Sequence, residues 1–112
     1  VLFVRRLDYK AHPRHNGRIV HRITNEADVM QALRAWARKQ PGRRILEGVF
    51  STMTLKEQIE MVQQACVIVG AHGAGLSHIL FARPGTQLLE VRPPSFRRPH
   101  FKAYAKWAGA GY

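Results

Sequence analysis

The run from Cys66 to Gly70, CVIVG, constrains the fold of this chain more than any other stretch. It is apolar throughout, rich in β-branched residues, and followed at once by AHGAG. A strand without polar alternation is buried on both faces, the position of a central strand in a parallel sheet. Parallel neighbours need long crossover connections, so helices must stand on either side of it.

The chain supplies them. Thr54 and Glu57 make a capping-box pattern ahead of Leu55, Ile59, Val62 and Cys66 at helical spacing. Residues 73–82 read as a short helix ended by Pro84-Gly85, and TQLLEV (86–91) as the next strand. Upstream, VLFVR (1–5) and RILEGVF (44–50) read as strands. Between them NEADVMQALRAWARKQPG reads as a helix, with Asn25 as its cap and Val29, Leu33, Trp36 and Ala37 on one face. A last helix is expected over 96–107, with Phe101, Tyr104, Ala105 and Trp107 as its apolar positions. The alternation predicts an α/β domain, a Rossmann-like parallel sheet with flanking helices, as one unit over residues 1–112. Cys66 is the only cysteine, which leaves no internal disulfide, and it reads as a small buried hydrophobe. No stretch approaches the roughly 18 apolar residues of a membrane span. The opening on VLFVRR without an initiator Met is expected of a piece of a longer protein.

Charge bounds the partners. Eighteen Lys and Arg against seven Asp and Glu give +11, which favours anionic ligands. The densest cluster, VRRLDYKAHPRHNGRIVHR, is a loop after the first strand; residues 7–18 hold its turn signals. In an open parallel sheet the carboxyl ends of the strands share one edge, where ligands bind. Arg5-Arg6, Ser51-Thr52 and His72-Gly73-Ala74-Gly75 all fall there, with Glu90 near the end of the fourth strand. Glycines without Cβ let an anionic oxygen reach the N–H groups of a helix start, and His72 adds a donor. The bland alternative is a tight turn and close helix–sheet packing.

Sharper motifs fail. G-x-G-x-x-G requires glycine where His78 stands, no Lys-Ser/Thr follows for a Walker loop, and Ser77 lacks the G-x-S-x-G setting. His12, His15 and His21 lie among arginines that oppose a cation, and His72 and His78 are not on one helical face, so no metal site is expected. His100 in RRPHF has two readings, a residue that caps or lines the cleft and a surface residue, and the second is the one expected.

TLKEQIEMVQQACVIVGAHGAGLSHILFARPGTQLLEV resembles the C-terminal signature of glycosyltransferase family 61, and HRITNEADV its upstream R-x-I-x-N-E segment. VRRLDYKAHPRH and RRPHFKAYAKWAGAGY are similar to the plant members that act on N-glycan cores. The resemblance implies a two-lobed GT-B enzyme of which this chain is the C-terminal, donor-binding lobe. The implied activity is metal-independent, inverting transfer of xylose from UDP-xylose in β-1,2 linkage to the core mannose of an N-glycan. It would need no cofactor, and it would be performed in the Golgi lumen by a type II membrane protein. Arg5, Arg6 or Arg22 could each supply a planar fork for a diphosphate; carried over residue by residue from the family, Arg6 and Arg22 are the candidates for it. Asn25 and Glu26 would order that loop, His72, Gly73, Ala74 and Gly75 would line the phosphates, and Glu90 would reach the ribose. The general base is expected in the missing N-terminal lobe, with Asp8 the candidate inside this chain, so the isolated lobe should be inactive. A charge of +11 exceeds what one diphosphate requires, and the surplus is expected to face solvent or a partner lobe. Rival readings are a family member using GlcNAc or arabinose and a basic nucleic-acid-binding α/β module. Against the latter, the aromatics sit at core positions rather than interleaved with the basic loop.

Overall fold

The computed structural model describes residues 1–8 and 21–112. Its elements are β1 (Leu2–Val4), α1 (Glu26–Arg38), β2 (Leu46–Gly48), α2 (Leu55–Gln63), β3 (Val67–Ala71), β4 (Gln87–Val91) and α3 (His100–Trp107). Two 3-10 segments, Phe50–Thr52 and Ala74–Phe81, complete the set. Every pair in the sheet is parallel and the order is β2-β1-β3-β4, so the expected α/β layer forms. From β1 the chain moves outward to β2, then returns past β1 to β3. This reversal makes the β1/β3 seam the topological switch point, where open sheets leave a crevice beyond the strand ends.

One face of the sheet carries the main core. Leu2, Val4, Ile68 and Leu88 pack with Val62 of α2, Leu76 and Ile79 of the second 3-10 segment, and Phe101 and Ala105 of α3. Each fully buried Leu or Ile there contributes about 1.5–3 kcal/mol. Phe3, Met30 and Ala37 are buried outside this cluster.

Several boundaries differ from the sequence expectation, for local reasons. Residues 73–82 do not form an α-helix; Ala74–Phe81 is 3-10, opened by the Leu76 N–H donating to the Gly73 carbonyl at 2.9 Å. The last helix starts at His100 rather than 96, because Pro99 disfavours the helical region for Arg98. Its Trp107 is 72% exposed, not apolar core. Cys66 is exposed, because β3 begins at Val67 and leaves it on the preceding turn. Leu55 is exposed as well. The strands are shorter than expected at β1 and β2. Asn25 occupies the cap position of α1 but makes no side-chain cap bond. The Thr54–Glu57 capping box is present in full. Residues 9–20 of the basic loop, with His12 and His15, lie outside the described residues.

Candidate functional site

Register brings the β1 and β3 tips together. Val4 pairs with Gly70, so Arg5-Arg6 and His72-Gly73 leave the sheet side by side. The Arg6 guanidinium donates to the carbonyl of His72 and, at 3.1 Å, to that of His21. One side chain thereby ties the end of the basic loop to the tip of β3. A Cβ on Gly73 would collide with this guanidinium, so the missing side chain makes room for Arg6. A Cβ on Gly75 would stand 3.0 Å from Val4 Cγ1, a close approach of the turn to the sheet. Ala74 is exposed between them.

His72 is buried, and its neighbours define its orientation. Nδ1 meets Glu90 Oε1, and Glu90 Oε2 accepts a hydrogen bond from the Tyr112 hydroxyl at 2.6 Å. The Phe96, Phe101 and His100 rings lie 4.0, 5.0 and 5.1 Å from the His72 ring between centroids, and His21 lies 5.8 Å away. Thus His100 joins the site rather than standing apart at the surface. Burial first, then His72 and Arg6, holds the His21 imidazole below the ordinary histidine value. His78 instead serves packing: Nδ1 meets the Gly75 carbonyl at 3.1 Å and the ring lies 4.7 Å from Phe50. Burial lowers its pKa too.

The other residues expected at the site separate into two groups. Arg5 bonds to Glu26 at 2.6 Å and reaches Glu47 at 3.4 Å, which makes it a strut between β1, α1 and β2. The hydrogen bond to Glu26 raises its pKa above the usual guanidinium value. Glu26 thus orders this corner, while Asn25 is exposed at the start of α1. Arg22 stands 3.3 Å from Asp8, both about half exposed.

Two open clefts meet at Arg22. The one of ≈ 410 Å³ carries both signs of charge, with Arg5, Arg22, Arg34, Glu26 and Glu47 in its wall. The other, of ≈ 300 Å³, lies at the carboxyl ends of β3 and β4 and is lined by His21, Arg22, Ala71, Val91, Arg92 and Pro93. Among the described residues its wall contains cations and no carboxylate, the composition that suits a diphosphate. Arg92 and Phe96 were not among the residues singled out from sequence. Arg92 follows the fourth strand directly, on the edge where ligands were expected, and that position was the signal available.

The glycosyltransferase 61 family model matches residues 1–89. The chain belongs to glycosyltransferase family 61. A beta-1,2-xylosyltransferase of Oryza sativa subsp. japonica is 45% identical over 113 residues, covering 100% of this chain and 21% of the relative. A beta-1,2-xylosyltransferase of Arabidopsis thaliana is 44% identical over 118 residues, covering 100% of this chain and 22% of the relative. This family 61 chain therefore spans about a fifth of the length of those relatives. The family match takes in the β1/β3 seam and His72 but stops short of Glu90. The residues that enclose His72 from the far side (Glu90, Phe96, His100, Phe101 and Tyr112) lie in the stretch shared with the two xylosyltransferases.

Proposed function

We propose that this chain is the donor-binding lobe of a longer, two-lobed GT-B enzyme that transfers xylose from UDP-xylose to the core mannose of N-glycans. The observation that carries the reading is the cationic cleft at the strand ends, with no carboxylate in its wall among the described residues, in a chain alike over its whole length to two beta-1,2-xylosyltransferases.

In this reading Arg22 and Arg92 hold the diphosphate, with Arg6 and the His72–Gly75 turn behind them. The acceptor hydroxyl attacks the anomeric carbon of xylose from the face opposite UDP, so the glycosidic bond to UDP breaks with inversion. A general base takes the hydroxyl proton. That base belongs to the acceptor side of the cleft, supplied by the other lobe. The arginines stabilise the charge that develops on the leaving UDP, the part a metal ion plays elsewhere. Neither metal nor cofactor is required, and the lobe by itself does not turn over. The enzyme works in the Golgi lumen, anchored as a type II membrane protein.

The test is a transfer assay with the full-length enzyme, a defined N-glycan acceptor, and UDP-xylose, UDP-GlcNAc or UDP-arabinose as donor. Mass gain of one pentose, sensitive to β-xylosidase and dependent on UDP-xylose, is the expected result. Transfer of GlcNAc or arabinose instead would replace the sugar assignment. Binding of RNA or DNA in place of any nucleotide sugar would overturn the enzyme reading.

A further inference from the structure

We propose that Glu90 is a positioning residue for His72, accepting a hydrogen bond from the proton on Nδ1 and so fixing the orientation of the ring at the tip of β3. The inference rests on the donor-binding reading for what the His72–Gly75 turn meets, but not for how the ring is held.

Gly70 pairs with Glu90 across β3 and β4, and the His72 N–H donates to the Val91 carbonyl at 2.8 Å. Side chains two residues apart on a strand share a face, so His72 and Glu90 are diagonal neighbours on one side. The Glu90 side chain is 0% exposed and that of His72 7%. A buried carboxylate must be satisfied, and here both oxygens are: Oε1 by His72 Nδ1, Oε2 by the Tyr112 hydroxyl. Burial first, then the Glu90 bond, raises the Tyr112 phenol above its ordinary value, which keeps it a donor.

A carboxylate accepting on both oxygens requires Nδ1 to carry the proton. Hydrogen bonding at one ring nitrogen in this way decides which state the other presents. Arg6 holds the carbonyl of the same residue, and Phe96 packs against the ring at 4.0 Å, so both backbone and plane are fixed. A ribose hydroxyl could reach Glu90 only by displacing His72 or Tyr112. Glu90 therefore acts through His72 and not on the ribose.

The experiment uses the full-length protein as wild type, Glu90→Gln, Tyr112→Phe, His72→Ala and the Glu90→Gln/His72→Ala double variant. In ligand-free wild type, imidazole 15N shifts should show His72 protonated on Nδ1, and Glu90→Gln should abolish that preference. In titrations, Glu90→Gln should weaken both UDP and inorganic pyrophosphate about tenfold, the loss of one hydrogen bond that holds the His72–Gly75 turn in place. It should add nothing further in the His72→Ala background, the mark of two residues acting as one unit. Tyr112→Phe should shift both readouts in the same direction by less. If Glu90→Gln does not fold, Tyr112→Phe and the wild-type tautomer decide the matter. A wild-type His72 protonated on Nε2, or a Glu90→Gln effect confined to UDP and absent with pyrophosphate, would overturn the proposal. Full additivity with His72→Ala would overturn it as well. A wild type with the expected tautomer and no affinity for UDP would sink the donor-binding reading while leaving the positioning of His72 intact.

Discussion

Gly73 illustrates how a residue that reads as special can have a neighbour the sequence does not announce. A glycine between a histidine and a helix start reads as a place where a ligand approaches the backbone. In the fold, the space its Cβ would take belongs to the Arg6 guanidinium. The backbone there is extended, so its conformation does not demand glycine; only the contact does. Nothing local announces that partner, because Arg6 lies 66 residues upstream of the neighbouring His72 and arrives through the pairing of β1 with β3. Gly73→Ala should therefore cost about 1–3 kcal/mol, the usual range for overpacking a filled site. Urea unfolding of the full-length protein would measure it. The cost should shrink in an Arg6→Ala background, where the added methyl has room; an unchanged cost would point to another contact.

At the scale of elements, what is encoded within a few residues was legible and what depends on packing was not. The Thr54–Glu57 box needs only its own four positions, and it forms with the Thr54 N–H donating to Glu57 Oε2 at 2.7 Å. Hydrogen bonds from the Thr54 backbone and then its side chain hold the Glu57 carboxyl below the ordinary glutamate value. A folded-state value below the unfolded one means the box stabilises above the ordinary carboxylate range and loses that contribution as the pH falls through it. Thr54→Ala should cost about 1 kcal/mol at neutral pH. The difference between variant and wild type should narrow in acid, as thermal melts across a pH series would show. By contrast, the 3-10 form of Ala74–Phe81 and the late start of α3 reflect how each segment is packed onto the sheet or shaped by Pro99. Periodicity alone reads both as α-helix. Cys66 and Trp107 were misplaced for the same reason, since apolar neighbours in sequence do not guarantee a covered face.

At the scale of the molecule, alternating strands and helices sufficed to give a parallel α/β layer and to bring Arg6 and His72 to one edge. They did not order the strands, and that order creates the switch point between β1 and β3. Nor did they reveal that Arg5 is committed to Glu26 and Glu47, or that Arg92 lines the cationic cleft instead. The +11 charge is only partly absorbed by this site, since the wall of the ≈ 300 Å³ cleft takes two arginines. The central claim is that this cleft holds the diphosphate of a UDP-sugar, and calorimetric titration of the full-length protein with UDP tests it most directly. Wild type should bind UDP, and Arg22→Ala and Arg92→Ala should each weaken that binding about tenfold, the loss of a charge-assisted contact. A folded wild type that does not bind UDP, or equal affinity in both variants, would contradict it.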